Sequence, residues 1–182
     1  KMYYEIFIVA QGGAVNTTAF EFGFAPDNYT GSRLGSGVSD ALSARPGHNA
    51  TTNTQIGVQN DGVCIDRSYS LCYYDGTSQL AVPVDGFVAG DIIMVAFDPV
   101  SGNFWYGLND TWFGTGGTGN PGTGANPLVT LVNLDYTFAP FAAAYRPDCK
   151  MVLNFGQDGT FAGNTTAGGN ADGEGYGNFK YD

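Results

Sequence analysis

The 182-residue chain is poor in the residues that build solvated helices and poor in charge. It contains three Glu and three Lys, and charged residues make up 13% of the sequence. Strand-favouring Val, Ile, Thr, Tyr and Phe are plentiful, and 28 glycines can supply turns. This balance predicts one domain of many short strands joined by Gly-rich turns.

Basic residues and long apolar runs are also scarce. Seven Lys and Arg are scattered along a chain of net charge -10, which argues against binding to nucleic acid or to an anionic membrane surface. No segment approaches the roughly 20 apolar residues of a membrane span, so membrane insertion is not expected.

The three cysteines and the single histidine limit metal and nucleophile chemistry. Cys64, Cys72 and Cys149 form no C-x-x-C pair, which argues against a zinc site. A hairpin could bring Cys64 and Cys72 together, but their apolar strand contexts favour buried free thiols. His48 lies in a polar loop, so a Ser-His-Asp or Cys-His arrangement would depend on one solvated residue.

Paired carboxylates for glycoside hydrolysis are missing as well. Glu5, Glu21 and Glu174 are isolated, and Asp91 and Asp98 lie in turns at the two ends of a strand. Glycosidases need two carboxyl groups at a fixed separation, usually supplied by alternate residues of one strand face. The sequence therefore favours a protein that is not an enzyme, with no catalytic residues.

No cofactor is expected, and a structural calcium ion is the one open alternative. Asp and Asn cluster at residues 60–61, 109–110 and at Asp158. These clusters match no EF-hand, and turn formation explains each of them.

Strand patterns cover most of the chain. The opening run, residues 2–10, is apolar on both alternating faces except at Glu5, which is typical of a strand covered on both sides. Phe20, Phe22 and Phe24 alternate with other residues, as on a strand with one buried face. Further strands are predicted at residues 54–59, 63–66, 69–74, 79–84, 90–98, 104–109, 138–145 and 150–155.

Three segments lack any period. Residues 29–53 predict a long functional or mobile loop, residues 114–127 a surface loop, and residues 163–177 a Gly/Asn-rich tail. About ten to thirteen strands without an amphipathic helix predict two packed antiparallel sheets, because each sheet alone would leave an apolar face in water. Phe7, Phe22, Phe97, Phe104 and Phe155 are the predicted core rings.

Several motifs resemble the SPRY (B30.2-type) domain. Residues 90–98 read G-D-I-I-M-V-A-F-D and are followed by F-W-Y-G-L-N at 104–109, similar to that family's G-D-V-I-G-V-A-L-D and L-W-F-x-x-N-G. Residues 3–6 resemble its first strand, and residues 138–143 and 152–157 resemble its closing Y-P-A-V and V-x-x-N-F-G strands. Asp110 stands where the family has Gly, which a left-handed turn position accepts.

The resemblance implies a concanavalin A-like jelly-roll sandwich and a non-catalytic module that binds partners through loops at one edge. The loop at 114–127 and the tail at 173–181 are more similar to SPRY-like domains of bacteriophage structural proteins than to animal versions. We therefore expect residues 1–182 to be a single SPRY-like domain, a segment of a longer chain.

The functional expectation is an adhesion or decoration domain on the virion surface, assembled in the host cytoplasm. Its expected partners are other virion proteins and a host-surface protein or glycan, with homo-oligomerisation left open. The alternatives are a carbohydrate-binding lectin, an intracellular peptide-binding SPRY module and, less favoured, a glycoside hydrolase.

Aromatic residues near turns are the candidate ligand-binding residues, because an exposed ring can stack on a sugar or anchor a protein contact. Core packing is an equally simple role for each ring. The candidate set is Tyr73, Tyr74, Trp112, Tyr136, Tyr145 and Arg146.

Overall fold

The computed structural model describes residues 1–11, 20–26, 62–66, 71–74, 78–81, 87–144, 148–172 and 175–181. These residues form strands and turns, and none of them belongs to an α-helix. No helix within these ranges could cross a membrane.

The described strands form two antiparallel sheets. Their bounds are β1 Met2–Gln11, β2 Phe20–Pro26, β3 Val63–Asp66, β4 Leu71–Tyr74, β5 Ser78–Ala81, β6 Ile92–Asp98, β7 Asn103–Leu108, β8 Thr111–Gly114, β9 Gly117–Thr118, β10 Val129–Thr130, β11 Phe138–Ala144 and β12 Cys149–Asn154. The first sheet has the order β12-β1-β6-β7-β8-β9, with β10 also paired to β7, and the second has the order β11-β2-β3-β4-β5. The predicted two-sheet antiparallel sandwich is confirmed.

Aromatic and branched side chains fill the space between the sheets. In β1 the even-numbered residues point inward, so Tyr4 and Ile6 are buried opposite Val95 and Ile93 of β6. Phe24 of the second sheet packs against Phe97 of the first with ring centroids 5.2 Å apart. The rows of the two sheets interdigitate, as burial of both inner faces requires.

One hydroxyl links the two sheets across this apolar core. Tyr4 Oη lies 2.9 Å from the carbonyl oxygen of Gly23 and 2.8 Å from that of Phe141, and it accepts the Gly23 amide at 3.0 Å. Gly23 must lack a side chain, because a Cβ there would lie 2.0 Å from the Val63 carbonyl oxygen. The buried phenol thus joins β1 to β2 and β11.

The first sheet is covered on its outer face as well. Phe161 packs on Phe7 and Ile92, and Phe179, near the end of the chain, is also buried. Residues 156–172 and 175–181 form this covering layer, which we call the C-terminal cover. It explains why the β1 sequence is apolar on both faces.

The main departures from the sequence-based prediction lie between residues 111 and 130. The structure has short strands β8, β9 and β10 there. β9 lies inside the surface loop predicted at 114–127, and no strand was predicted at β8 or β10. β9 is two residues within a Gly-rich run, and β8 and β10 have four and two residues, which is too short for an alternating pattern to identify a strand. The strand predicted at 54–59 and the long loop at 29–53 lie outside the described residues.

Two side-chain predictions have different outcomes. Phe155 was expected in the core, but it follows the last residue of β12 and is 52% exposed, so that prediction is wrong. The cysteines are buried free thiols, as predicted. Cys64 is opposite Tyr73 and Cys72 is opposite Ile65, so the two thiols project from opposite faces of the sheet and cannot form a disulfide.

We expect Tyr4→Phe to lower the free energy of unfolding by about 1–3 kcal/mol, because it leaves buried backbone groups of β2 and β11 without a partner. Urea denaturation should measure the change. Tyr176→Phe is the matched control, since Tyr176 is 74% exposed, and it should change stability little. Equal stability of the two variants would contradict the linking role of the Tyr4 hydroxyl.

Alkaline pH should destabilise the fold. Burial raises the pKa of Tyr4, Tyr106 and Cys72 above their ordinary values of 10.0, 10.0 and 9.0. The stability that these neutral groups contribute is complete below those ordinary values and is lost as pH rises toward the folded-state pKa, by about 1.4 kcal/mol per pH unit for each group.

Tyr106→Phe isolates one of these contributions. The Tyr106 hydroxyl is buried and has no hydrogen-bond partner among the described residues, so its removal should leave stability at pH 8 nearly unchanged. Urea melts between pH 8 and 11.5 should show a shallower alkaline loss for this variant. An unchanged slope would contradict the burial effect at Tyr106.

Candidate ligand-binding groove

A groove of about 800 Å³ lies on the outer face of the first sheet, beside the C-terminal cover. Ligand sites commonly have volumes of about 300–1,000 Å³. The groove is lined by Lys1, Met2, Tyr3, Ala96, Phe97, Trp105, Asp110, Trp112, Asn120, Pro121, Gly122, Ala171, Asp172, Phe179 and Tyr181. Six of these residues are aromatic, and three of the six, Tyr3, Trp112 and Tyr181, are partly exposed. The groove therefore has an apolar base and a polar rim.

The base of the groove follows one cross-strand row. Tyr3 of β1 is opposite Ala96 of β6, and Ala96 is opposite Trp105 of β7. The small Ala96 side chain between two large rings leaves the concavity open. Trp105 is fully buried at the base, and the Tyr3 ring packs on Phe179 with a centroid separation of 4.9 Å.

Trp112 of β8 is the large, partly exposed ring in the groove. Its strand partner is Gly107, where a Cβ would lie 2.4 Å from the Met94 methyl carbon and 3.2 Å from a Trp112 ring carbon. Gly107 therefore lets the indole lie close to the sheet. The ring centroids of Trp112 and Tyr3 are 6.0 Å apart with an interplanar angle of 55°, so the two rings form one aromatic surface.

The loop after β9 forms one wall. Trp105 Nε1 donates a hydrogen bond to the Ala125 carbonyl oxygen at 3.0 Å. Lys1 Nζ donates to the carbonyl oxygens of Pro121 at 2.7 Å and Gly122 at 3.2 Å. These bonds hold a Gly-rich loop against the aromatic base, so this wall is ordered although its sequence has no period.

The C-terminal cover forms the opposite wall, and Glu5 holds it in place. Glu5 is fully buried, and its carboxylate accepts the backbone amides of Lys180 at 3.0 Å and Tyr181 at 2.8 Å. Tyr3 Oη and Asn154 Nδ2 also donate to this carboxylate, at 2.9 Å and 3.0 Å. A buried carboxylate is costly unless donors surround it, and here four donors do so.

Asn154 extends the same network to the start of the cover. Its Nδ2 donates to Glu5 and to the Asn178 carbonyl oxygen at 2.8 Å, and its Oδ1 accepts the amides of Gly156 at 2.9 Å and Asp158 at 3.1 Å. Glu5 and Asn154 are paired residues of β1 and β12. Two buried side chains therefore fix both ends of the cover.

The turn between β7 and β8 places a carboxylate at the rim. Asn109 and Asp110 have φ values of 47° and 69°, so Asp110 occupies the left-handed position expected from the sequence. Asn109 fixes the turn, since its Oδ1 accepts the Ile92 amide at 2.9 Å and its Nδ2 donates to Asp91 at 2.8 Å. Asp110 is exposed beside the aromatic surface.

The structure disperses the predicted ligand-binding residues. Trp112 lines the groove, whereas Tyr74 and Tyr136 are partly buried against the main core. Tyr73 lies on β4 in the other sheet, and Tyr145 and Arg146 lie outside the described residues. A ligand role for these residues stays a prediction. Sequence reasoning did not identify Tyr3, Asp110, Asp172 or Tyr181 as candidate ligand-binding residues.

No group of three or more potential metal ligands occurs within the described ranges. Asp158, one of the calcium candidates, already uses its carboxylate in a turn. Oδ1 accepts the Thr160 amide and hydroxyl at 2.8 Å and 2.6 Å, and Oδ2 accepts the Ala162 amide at 2.8 Å. These hydrogen bonds, led by the Thr160 hydroxyl, lower the pKa of Asp158, and turn formation accounts for its position.

Comparison with solved structures relates this sandwich to SPRY domains. A human SPRY domain aligns with a TM-score of 0.50 and 16% identity, over 86% of this chain and 78% of the other. The SPRY domain of human HERC1 aligns with a TM-score of 0.47 and 12% identity, over 86% and 76% of the two chains. No protein-family model and no curated protein matches the chain. At this identity the likeness shows a SPRY-type fold.

We expect Glu5→Gln to loosen the C-terminal cover. The amide group of Gln would place N–H donors opposite groups that are themselves donors, so some of the hydrogen bonds to residue 5 would be lost. Hydrogen bonds to charged groups contribute about 1.5–3 kcal/mol each, so the stability loss should be at least of that size. Hydrogen exchange should accelerate at residues 178–181. Asp135→Asn, a change at an exposed site, is the control, and unchanged exchange at 178–181 in the Glu5 variant would contradict the holding role.

Proposed function

We propose that this chain is a non-enzymatic binding module that adheres to a surface glycan through the aromatic groove. The observation that carries this proposal is the aromatic surface of Tyr3 and Trp112, with Tyr181 also lining the same concavity. Sugar rings present apolar C–H faces that stack on aromatic rings and hydroxyls that bind carboxylates and carbonyls. The groove offers both kinds of group.

The groove lining also carries polar side chains that can accept hydrogen bonds from sugar hydroxyls. Asp110 and Asp172 are exposed carboxylates on the lining, and Asn120 is exposed on the loop wall. A site that combines an apolar base with a few fixed polar groups gains affinity from the first and orientation from the second. Because hydrogen bonds hold both walls, little ordering is needed on binding.

A binding role fits the exposure of these carboxylates better than hydrolysis does. Asp110 and Asp172 lie in turns and are exposed, whereas a glycosidase buries its general acid in apolar surroundings that raise its pKa. The SPRY-type fold also supports a binding role, because SPRY domains are generally non-catalytic binding modules. A peptide-binding role remains the alternative that this fold also suits.

The virion placement is the finer part of the proposal. It rests on the sequence resemblance to bacteriophage SPRY-like domains, and its partners would be other virion proteins and a host-surface glycan or protein. Mass spectrometry of purified phage particles tests it directly. Particles that lack this polypeptide would remove the virion placement and leave the binding role to be judged separately.

We expect Trp112→Ala to weaken glycan binding by roughly tenfold or more, as for other central aromatic anchors. A glycan array identifies binders of the unmodified chain, and titration calorimetry then compares variants. Tyr176→Ala is the matched control, because this exposed ring is outside the groove lining.

Three results would count against the proposal. An array with no binder would contradict a glycan ligand, and equal affinities of the two variants would contradict this site. Release of reducing ends from a bound polysaccharide would contradict a non-enzymatic role. Thermal melts of each variant check that a loss of binding is not a loss of fold.

A further inference from the structure

We infer that the aromatic groove selects neutral or amino sugars and excludes sugars that carry carboxylates, so the glycan recognised under the proposed function is uncharged or cationic. Among the residues that the structure describes, four acidic and two basic side chains lie in or near the groove, and the acidic side chains outnumber the basic ones.

The rim of the groove is acidic. Asp110 and Asp172 line it and are both exposed, and Lys1 is the cationic side chain among the lining residues. Lys1 Nζ already donates to the carbonyl oxygens of Pro121 and Gly122. A carboxylate on a ligand would therefore meet two carboxylates and one ammonium group that is already hydrogen-bonded to the wall.

The surroundings add negative charge. Glu5 is buried behind the wall that its hydrogen bonds hold, and Asp91 lies behind the β7–β8 turn, bonded to Asn109. Lys180 is not among the lining residues, and its Nζ is held at the Thr166 carbonyl oxygen, to which it donates at 2.8 Å. The net charge of -10 provides no compensating basic field.

The Tyr181 phenol, on the groove wall, is also affected by the negative charge around the groove. Burial raises the pKa of its phenol, and the carboxylates of Asp110, Glu5 and Asp91 raise it further. The groups that oppose a phenolate at this wall would also oppose a ligand carboxylate and attract an ammonium group. Such repulsion acts as a selective element in addition to the attractive contacts.

Oligosaccharides of the same linkage that differ in one charged group per ring can test this inference. In the gluco series we would use cellotetraose, the chitosan tetramer and the β-1,4-glucuronate tetramer, and in the galacto series the corresponding α-1,4-linked galactose, galactosamine and galacturonate tetramers. Titration at about 20 mM salt keeps charge effects visible, and repetition at about 0.5 M salt screens them. The full chain is used throughout.

We expect the uronate tetramer of the binding series to bind at least about tenfold more weakly than the neutral one at low salt, and the gap to narrow at high salt. The amino tetramer should bind at least as tightly as the neutral one. Uronate binding equal to or tighter than neutral binding at low salt would overturn the inference while leaving the glycan-binding role intact. Binding of none of the six probes would contradict both.

The double variant Asp110→Asn and Asp172→Asn removes the rim charge with little change in shape. Asn is well suited to the left-handed position of residue 110, and an Asn at 172 keeps the Oδ1 that accepts the Tyr176 amide at 2.7 Å. Uronate and neutral tetramers should then bind within about threefold of each other. A discrimination that survives in this variant would overturn the role of the two aspartates. The double variant Asp135→Asn and Asp148→Asn, at two exposed sites outside the groove lining, is the charge-matched control.

Discussion

The arrangement of the outer face depends on one buried carboxylate. Glu5 stands in the middle of an otherwise apolar strand and accepts hydrogen bonds from the backbone of Lys180 and Tyr181, at the opposite end of the chain. Burial of such a group is tolerated only when its oxygens are satisfied. The last residues of the C-terminal cover are therefore obliged to lie on β1, and the wall of the groove follows from that obligation.

Tyr4 and Glu5, two buried neighbours in β1, make their hydrogen bonds on opposite faces of the strand. Tyr4 points into the core, where its hydroxyl reaches Gly23 and Phe141 of the second sheet, and Glu5 points outward to the cover. Because neighbouring residues of a strand project to opposite faces, a slip of one residue would place both groups on the wrong side. The register of β1 thus joins the sandwich interior to the outer layer.

The sequence predicted the parts of the fold that have a period. Alternation in β2 and the apolar run of β6 define strands by themselves, and the β1 pattern, apolar on both faces except at Glu5, correctly predicts cover on both faces. The segment that supplies this cover could not be predicted. The C-terminal cover is Gly- and Asn-rich, and its backbone amides hold it in place, so its sequence shows no apolar pattern. The same reason hides the groove: Tyr3 and Tyr181 meet only through contacts between the two ends of the chain.

The aromatic surface of Tyr3 and Trp112 stays accessible although the C-terminal cover buries other apolar residues of the same face, and this exposure needs a functional explanation. The C-terminal cover buries Phe7 and Ile92 under Phe161, yet it leaves Tyr3 and Trp112 partly accessible on the same face of the same sheet. The small Ala96 side chain keeps this end of the face open, and Gly107 lets the Trp112 ring lie close to the sheet. Exposed apolar patches rimmed by polar groups usually mark interaction sites. A cover that stops short, small residues at the base and carboxylates at the rim are the features on which the proposed sugar-binding role rests.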